Sequence, residues 1–246
     1  MGFFSAVGGF ISGVAGALSS AVSGFFSGVA SLASNIGLGG IVSIASAIAG
    51  LAIPGVGLAE LVNIISLVAN VVGLLANILG LNETEDEADE LGFKAEVADM
   101  KPEDFDNDMV KYNKYLSKYE LSEEDKNRFD NLSDEERLKY KVVGLGIQIS
   151  GIESELSVTN LSECVCDLSR AELSKEEIVD YVNECKDAGI TNMADITNYL
   201  KDAETEESKE TIGGALTSAI GARYPELSND EIVGKLGDLA EKINNL

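Results

Sequence analysis

The sequence predicts an all-α protein: a hydrophobic, Gly/Ala/Ser-rich helical hairpin segment at the N-terminal end, joined to an acidic bundle of short helices. Three observations lead there. Small and apolar residues recur every four or seven positions through the first third of the chain. Helix-start signals of the Ser-x-x-Glu type recur through the remainder. Charge is also partitioned: of 42 acidic and 18 basic residues in 246, only Glu60 lies in 1–81, and the first basic residue is Lys94. Three regions follow, namely hydrophobic self-associating or membrane-interacting helices (1–81), an acidic linker (82–108) and an acidic soluble helical domain (109–246).

The first stretch, Met1 to Ser34, contains no proline and ends in the turn-forming cluster Asn35-Ile-Gly-Leu-Gly-Gly40. Gly9, Gly13, Ala17 and Ala21 recur every four residues, and Ser20, Gly24 and Gly28 continue a neighbouring line. Such ridges let helix backbones approach closely, a glycine-zipper arrangement suited to surroundings where lipid removes the hydrophobic drive. Fifteen of the 25 glycines fall in this third of the chain. Each costs about 1 kcal/mol relative to Ala inside a helix, which disfavours an isolated helix in water. Phe3, Phe4, Phe10, Phe25 and Phe26, interleaved with Gly and Ala, resemble the aromatic residues of fusion peptides and membrane-penetrating segments, and are expected to insert into lipid. Ile41 to Ala52 is too short, at about 1.5 Å per residue, to cross a ~30 Å hydrocarbon core. It leads into the turn Ile53-Pro-Gly-Val-Gly57.

Leu58 to Leu79 follows without Gly-Pro punctuation and is long enough to span a bilayer. It repeats in sevens: Asn63-Ile-Ile-Ser-Leu-Val-Ala, Asn70-Val-Val-Gly-Leu-Leu-Ala, Asn77-Ile-Leu-Gly-Leu81. Asn63, Asn70 and Asn77 fall on one line, with Ser66, Gly73 and Gly80 three residues further round. A water-soluble coiled coil has an apolar seam and a polar outside; here the seam is polar and the remainder apolar. Such a helix presents its stripe to neighbouring helices or a water-filled lumen and its other faces to lipid or apolar protein. The Asn line serves as a register device, lines a pore, or is a coincidence of spacing. Glu60, one turn before Asn63, joins the seam or marks the water-facing end of the helix.

Beyond it, Glu83-Thr-Glu-Asp-Glu-Ala-Asp-Glu90 is a run of like charge that repels itself and is expected to stay solvated. Past Asp108, Ser133-Asp-Glu-Glu136, Ser174-Lys-Glu-Glu177 and Ser228-Asn-Asp-Glu231 are full capping boxes and Ser122-Glu-Glu-Asp125 is close to one. Gly189 reads as a C-terminal cap, and Gly213, Thr217 and Gly221 as one closely packed helix pair. Gly144-Leu-Gly146 with Gly151 lacks the spacing of a phosphate cradle.

The net charge of −24 argues against nucleic acid, whose phosphates demand Lys and Arg. With no histidine anywhere, the commonest general acid–base group is missing and no tetrahedral zinc set completes around Cys164, Cys166 and Cys185. No catalytic residue, cofactor, metal or small-molecule substrate is therefore expected. Met1-Gly-Phe-Phe-Ser-Ala lacks the basic region of a secretory signal. The expected course is synthesis in the cytoplasm, then residence in a virion-like particle or a target membrane.

In composition the first third resembles the membrane-penetrating or ejection proteins of phages and tail-like injection machines, which join a Gly/Ala/Ser-rich hydrophobic segment to a soluble helical part. The resemblance implies a non-enzymatic pore-forming or membrane-penetrating homo-oligomer whose hydrophobic helices are shielded until delivery. Two other readings stand beside it: a structural assembly protein whose helices form a multi-chain bundle inside a particle, and a bacteriocin- or toxin-like pore former acting alone. Its partners are then itself and either a lipid bilayer or the apolar interior of an assembly.

Overall fold

A computed structural model of the chain describes residues 20–38, 51–52, 57–81 and 87–246. These form eleven α-helices, with no strand among the described residues, so the protein is all-α. The chain divides into two compact units, Met1–Glu155 and Leu156–Leu246. The described part of the hydrophobic region lies in one unit with residues 87–155.

In the first unit, α1 (Ser20–Asn35) and α2 (Leu58–Ile78) precede α3 (Ala88–Val97), a 3-10 turn (Pro102–Phe105), α4 (Met109–Lys118), α5 (Glu123–Asp130) and α6 (Asp134–Leu156). α6 is central: from Val142 to Glu153 every residue is buried. A helix apolar all round needs cover on every side. Residues of the hydrophobic third supply some of it. Lys139 of α6 lies over Gly28, and Leu81 lies against Gly151. Leu32 packs on the cluster of Phe93, Leu121 and Tyr140.

α3 occupies sequence expected to be a solvated linker, and seven of its residues are buried. The reason is non-local. Asp89 lies 3.6 Å from Arg137, and Glu96 pairs with Arg128 and accepts from the Tyr140 hydroxyl at 2.6 Å. Lys101 Nζ donates to the last carbonyls of α3, at Ala95 (3.0 Å) and Glu96 (3.2 Å). At the centre of the helix Gly92 crosses Gly144 so closely that a Cβ on Gly92 would stand 2.0 Å from the Tyr140 carbonyl oxygen. The run containing Gly144 is thus a helix crossing.

The second unit holds α7 (Leu161–Arg170), α8 (Lys175–Asp187), α9 (Ala194–Leu200), α10 (Lys209–Arg223) and α11 (Asn229–Asn244). α8 packs most extensively on α10. Ser174 with Glu177 and Ser228 with Glu231 close reciprocal capping boxes, and Ser208 caps α10. Gly189, at φ +86°, ends α8 as the sequence predicts. Gly213 lies beneath the Tyr199 hydroxyl of α9, and Gly221 beneath Ile232 of α11, so this small-residue line packs against side chains of two helices.

Candidate functional site

α2 carries the residues singled out by the seven-residue repeat. Its Gly-Leu exit fixes where that repeat stops. Gly80 adopts φ +62°, its N–H donates to the Asn77 carbonyl (3.1 Å), and the Leu81 N–H reaches back to Ala76 (2.9 Å). That left-handed turn satisfies the last carbonyls of the helix, so Gly80 acts as its cap although its spacing continues the seam.

Above the cap the helix has two distinct sides. Leu61, Ile64, Ile65, Val68, Val71, Val72, Leu75 and Ala76 are buried within the unit. Glu60, Asn63, Ser66, Asn70 and Asn77 are exposed, with Gly73 half-exposed among them and Gly80 exposed at the end. The polar line is continuous and lies on the exposed side of the helix. The apolar circumference is instead covered by the protein's own fold, except beside the Asn line, where Val62, Leu67 and Ile78 are 38, 46 and 58% exposed. The Ser66 hydroxyl donates to the Val62 carbonyl (2.9 Å), so it is satisfied within its own helix. The span Ala59–Ile78 has a mean hydropathy of 2.1, long and apolar enough to cross a membrane, and 44% of its most apolar window is buried.

The N-terminal ridge and aromatic set fall differently. Gly9, Gly13, Ala17, Phe3, Phe4 and Phe10 lie outside the described residues. Ala21 and Gly24 are exposed, with open space where a Gly24 Cβ would stand, whereas a Cβ on Gly28 would stand 3.0 Å from Lys139 Cε. Among the described residues of this line, Gly24 and Gly28 are not pressed against another helix backbone. Phe25 and Phe26, expected to insert into lipid, are buried and meet edge to face with ring centroids 5.4 Å apart. Placing them on the inner side of α1 removes their apolar area from water without a membrane. The close glycine crossing of the described structure is Gly92 on Gly144. Its signal in sequence was a pair of glycines inside apolar helical runs, which periodicity alone does not connect.

Cys164, Cys166 and Cys185 are buried and unbridged, and burial pushes their thiols well above the ordinary range, Cys185 to about 12. Thiols so placed are poor nucleophiles. Among the described residues no group of three or more His, Cys, Asp or Glu is placed to hold a metal ion. A cleft of about 360 Å³ in the second unit contains Glu177, Tyr224 and Lys235. There the Tyr224 hydroxyl donates to Glu177 (2.8 Å), and the Lys235 ammonium sits 4.5 Å from the Tyr224 ring centre. These groups satisfy one another. In comparisons with protein-family models, curated proteins and solved structures, nothing matches this chain.

Proposed function

We propose that the protein is a non-enzymatic, membrane-penetrating component of an oligomeric assembly, of the kind carried by phage and tail-like injection particles, with its apolar helices folded inward until delivery. The observation that carries this reading is the two-sidedness of α2. Its span is apolar enough for a bilayer, yet only 44% of the most apolar window is buried, whereas a core helix of a soluble protein is mostly covered. The residues that would face hydrocarbon are those now buried, Leu61 to Leu75. Those that would face neighbouring helices, Asn63, Asn70 and Asn77, already point outward. Contact with lipid would be by apolar insertion, because a chain of net charge −24 offers anionic headgroups little attraction.

The test mixes full-length protein with dye-loaded liposomes of neutral and anionic composition, from acid to neutral pH. Leakage is expected in at least one condition. No leakage in any of them, together with a stable soluble oligomer, would replace this reading with a structural one. In that second reading α2 joins a multi-chain bundle inside a particle and never meets lipid. It is favoured by the exposure of the Asn line in the folded chain, which needs no refolding to reach a partner. Replacing Asn63, Asn70 and Asn77 together by Leu should abolish conductance if they line a lumen. Unchanged conductance would confine them to contacts between helices.

A further inference from the structure

We infer that the seat of Leu81 on α6 is a built-in release point, weakened by Asn113 so that the C-terminal end of α2 opens to water before the rest of the first unit yields. The inference rests on the membrane-penetrating reading above and adds the place where release begins. α4 buries Met109, Tyr112, Asn113, Leu116 and Ser117. Asn113 stands apart from the others: it is completely buried, and neither its amide nitrogen nor its amide oxygen has a hydrogen-bond partner in the protein. An amide offers two donors and two acceptor sites, so none of this capacity is met. The adjacent Tyr112 hydroxyl is likewise unpartnered, and three of the five buried side-chain atoms left so among the described residues belong to these two neighbours. Buried serines of the same unit are satisfied, Ser150 donating to the Gly146 carbonyl (2.7 Å) and Ser117 to the Lys114 carbonyl (3.1 Å). An unpaired amide in the core weakens a fold where a leucine would strengthen it, and such a group calls for a role beyond packing.

Its place supplies the role. A Cβ on Gly151 of α6 would stand 3.3 Å from the Asn113 amide nitrogen, 3.5 Å from the Met109 carbonyl oxygen and 3.6 Å from Leu81 Cδ1. The bare backbone at Gly151 therefore borders a space shared by an unpaired amide, a carbonyl and the leucine just past the end of α2. Leu81 is completely buried, and its N–H is held by the Ala76 carbonyl (2.9 Å) in the exit turn of the helix. When Leu81 lifts away, its apolar surface meets water, which opposes opening. At the same step water reaches the Asn113 amide, which favours it. The two effects are of like size, since leaving a buried polar group unpaired costs about as much as burying a leucine returns. Opening at this end of α2 therefore costs little.

Hydrogen exchange of the full chain in solution, without lipid, tests this at the Gly80 and Leu81 amides, which close the exit turn. Asn113→Leu keeps the branching and heavy-atom count of the side chain and removes its unpaired groups. It should slow exchange at both amides about tenfold, the equivalent of about 1.4 kcal/mol, and raise the urea midpoint. Exchange at the parental rate, or a lowered midpoint, would overturn the inference by showing the amide to be partnered. Leu81→Ala is the second variant, and decides the matter even where Asn113→Leu does not fold. It leaves a cavity bordered by an amide and a carbonyl, polar enough to take up water, so hydration of Asn113 offsets the lost leucine. Exchange should then rise by less than about tenfold. A larger rise, toward the roughly thirtyfold or more that truncating a buried leucine ordinarily brings, would count against the polar seat. Liposome leakage is read separately. Should the parent never leak while Asn113→Leu still slows exchange, the membrane reading falls and the weak seat stands. Leakage at the parental rate from a variant whose exchange is slowed would place release elsewhere and overturn the inference.

Discussion

Alanine at Gly92 tests how α3 is held to the first unit. Its Cβ would stand 2.0 Å from the Tyr140 carbonyl oxygen, 2.8 Å from the carbonyl carbon and 3.0 Å from the Gly144 nitrogen. A carbon and a carbonyl oxygen rest comfortably at about 3.3 Å, so α3 and α6 must part by roughly 1.3 Å. A gap of 0.5–1 Å already forfeits about a quarter to a half of the dispersion attraction across a contact. Overpacking of this kind costs about 1–3 kcal/mol. The same displacement stretches the Asp89–Arg137 pair and the Tyr140 hydrogen bond to Glu96, adding about 1 kcal/mol as an order of magnitude. The better helix propensity of Ala returns about 1 kcal/mol. The net loss is then about 1–3 kcal/mol, a large share of the ~5–15 kcal/mol that holds a typical domain. Urea unfolding by circular dichroism should show a lower midpoint, and hydrogen exchange should show α3 amides losing protection. Gly24→Ala is the control: with open space at its Cβ, it should leave stability unchanged or raise it by up to about 1 kcal/mol. A Gly92→Ala protein that unfolds at the parent's midpoint with full α3 protection would refute the close crossing.

In the second unit, burial acts to raise the pKa of Glu177, but donors from Ser174 and Tyr224 and the nearby Lys235 outweigh it and hold the carboxyl below its ordinary 4.5. A depressed folded-state pKa gives stability that is complete above the unfolded value and lost as pH falls through the folded one. Calorimetry should therefore show the second unit weakening as the pH drops below about 4.5, with Glu177→Gln flattening that dependence. Ser228→Ala removes the box that starts α11 and should cost about 1 kcal/mol in urea unfolding, with faster exchange in the first turn. Asp195 is buried and accepts from the backbone N–H groups of Glu206 (3.1 Å) and Glu207 (2.8 Å). Asp195→Ala should cost about 3 kcal/mol and expose that loop to proteolysis, and a variant as stable and protease-resistant as the parent would refute this role.

What could be read from sequence was whatever is decided within a few residues. Ser174 and Glu177 lie one turn apart, so their capping box is local chemistry and forms as written. Gly189 likewise ends its helix in the adjoining turn. That Asn63, Asn70 and Asn77 share one line follows from helix geometry once a helix is granted; that the line is exposed does not. The burial of α3 follows from no such window. Its acidic residues look like a self-repelling run until Arg128 and Arg137, more than thirty residues downstream, are folded against Glu96 and Asp89. Phe25 and Phe26 have a composition suited equally to lipid and to a protein core, and only the tertiary fold chooses between them. The pairing of Gly92 with Gly144 is of the same kind, since each glycine alone reads as a weak point in a helix.

The arrangement also bears on where control of membrane penetration would reside. For Leu61, Ile64, Ile65, Val68, Val71, Val72 and Leu75, exchanging a protein interior for hydrocarbon changes little, because both are apolar and dry. The cost of freeing α2 includes unseating Leu81, just past its end, from Gly151 of α6. α3 follows α2 in the chain and is fixed to the same unit at both ends, by Asp89 with Arg137 and by Glu96 with Arg128 and Tyr140. An outward movement of the C-terminal end of α2 beyond the reach of residues 82–87, about 20 Å when fully extended, must first detach this short helix. In the proposed function α3 is therefore the clasp, and the charges that made it resemble a linker are the contacts by which it holds.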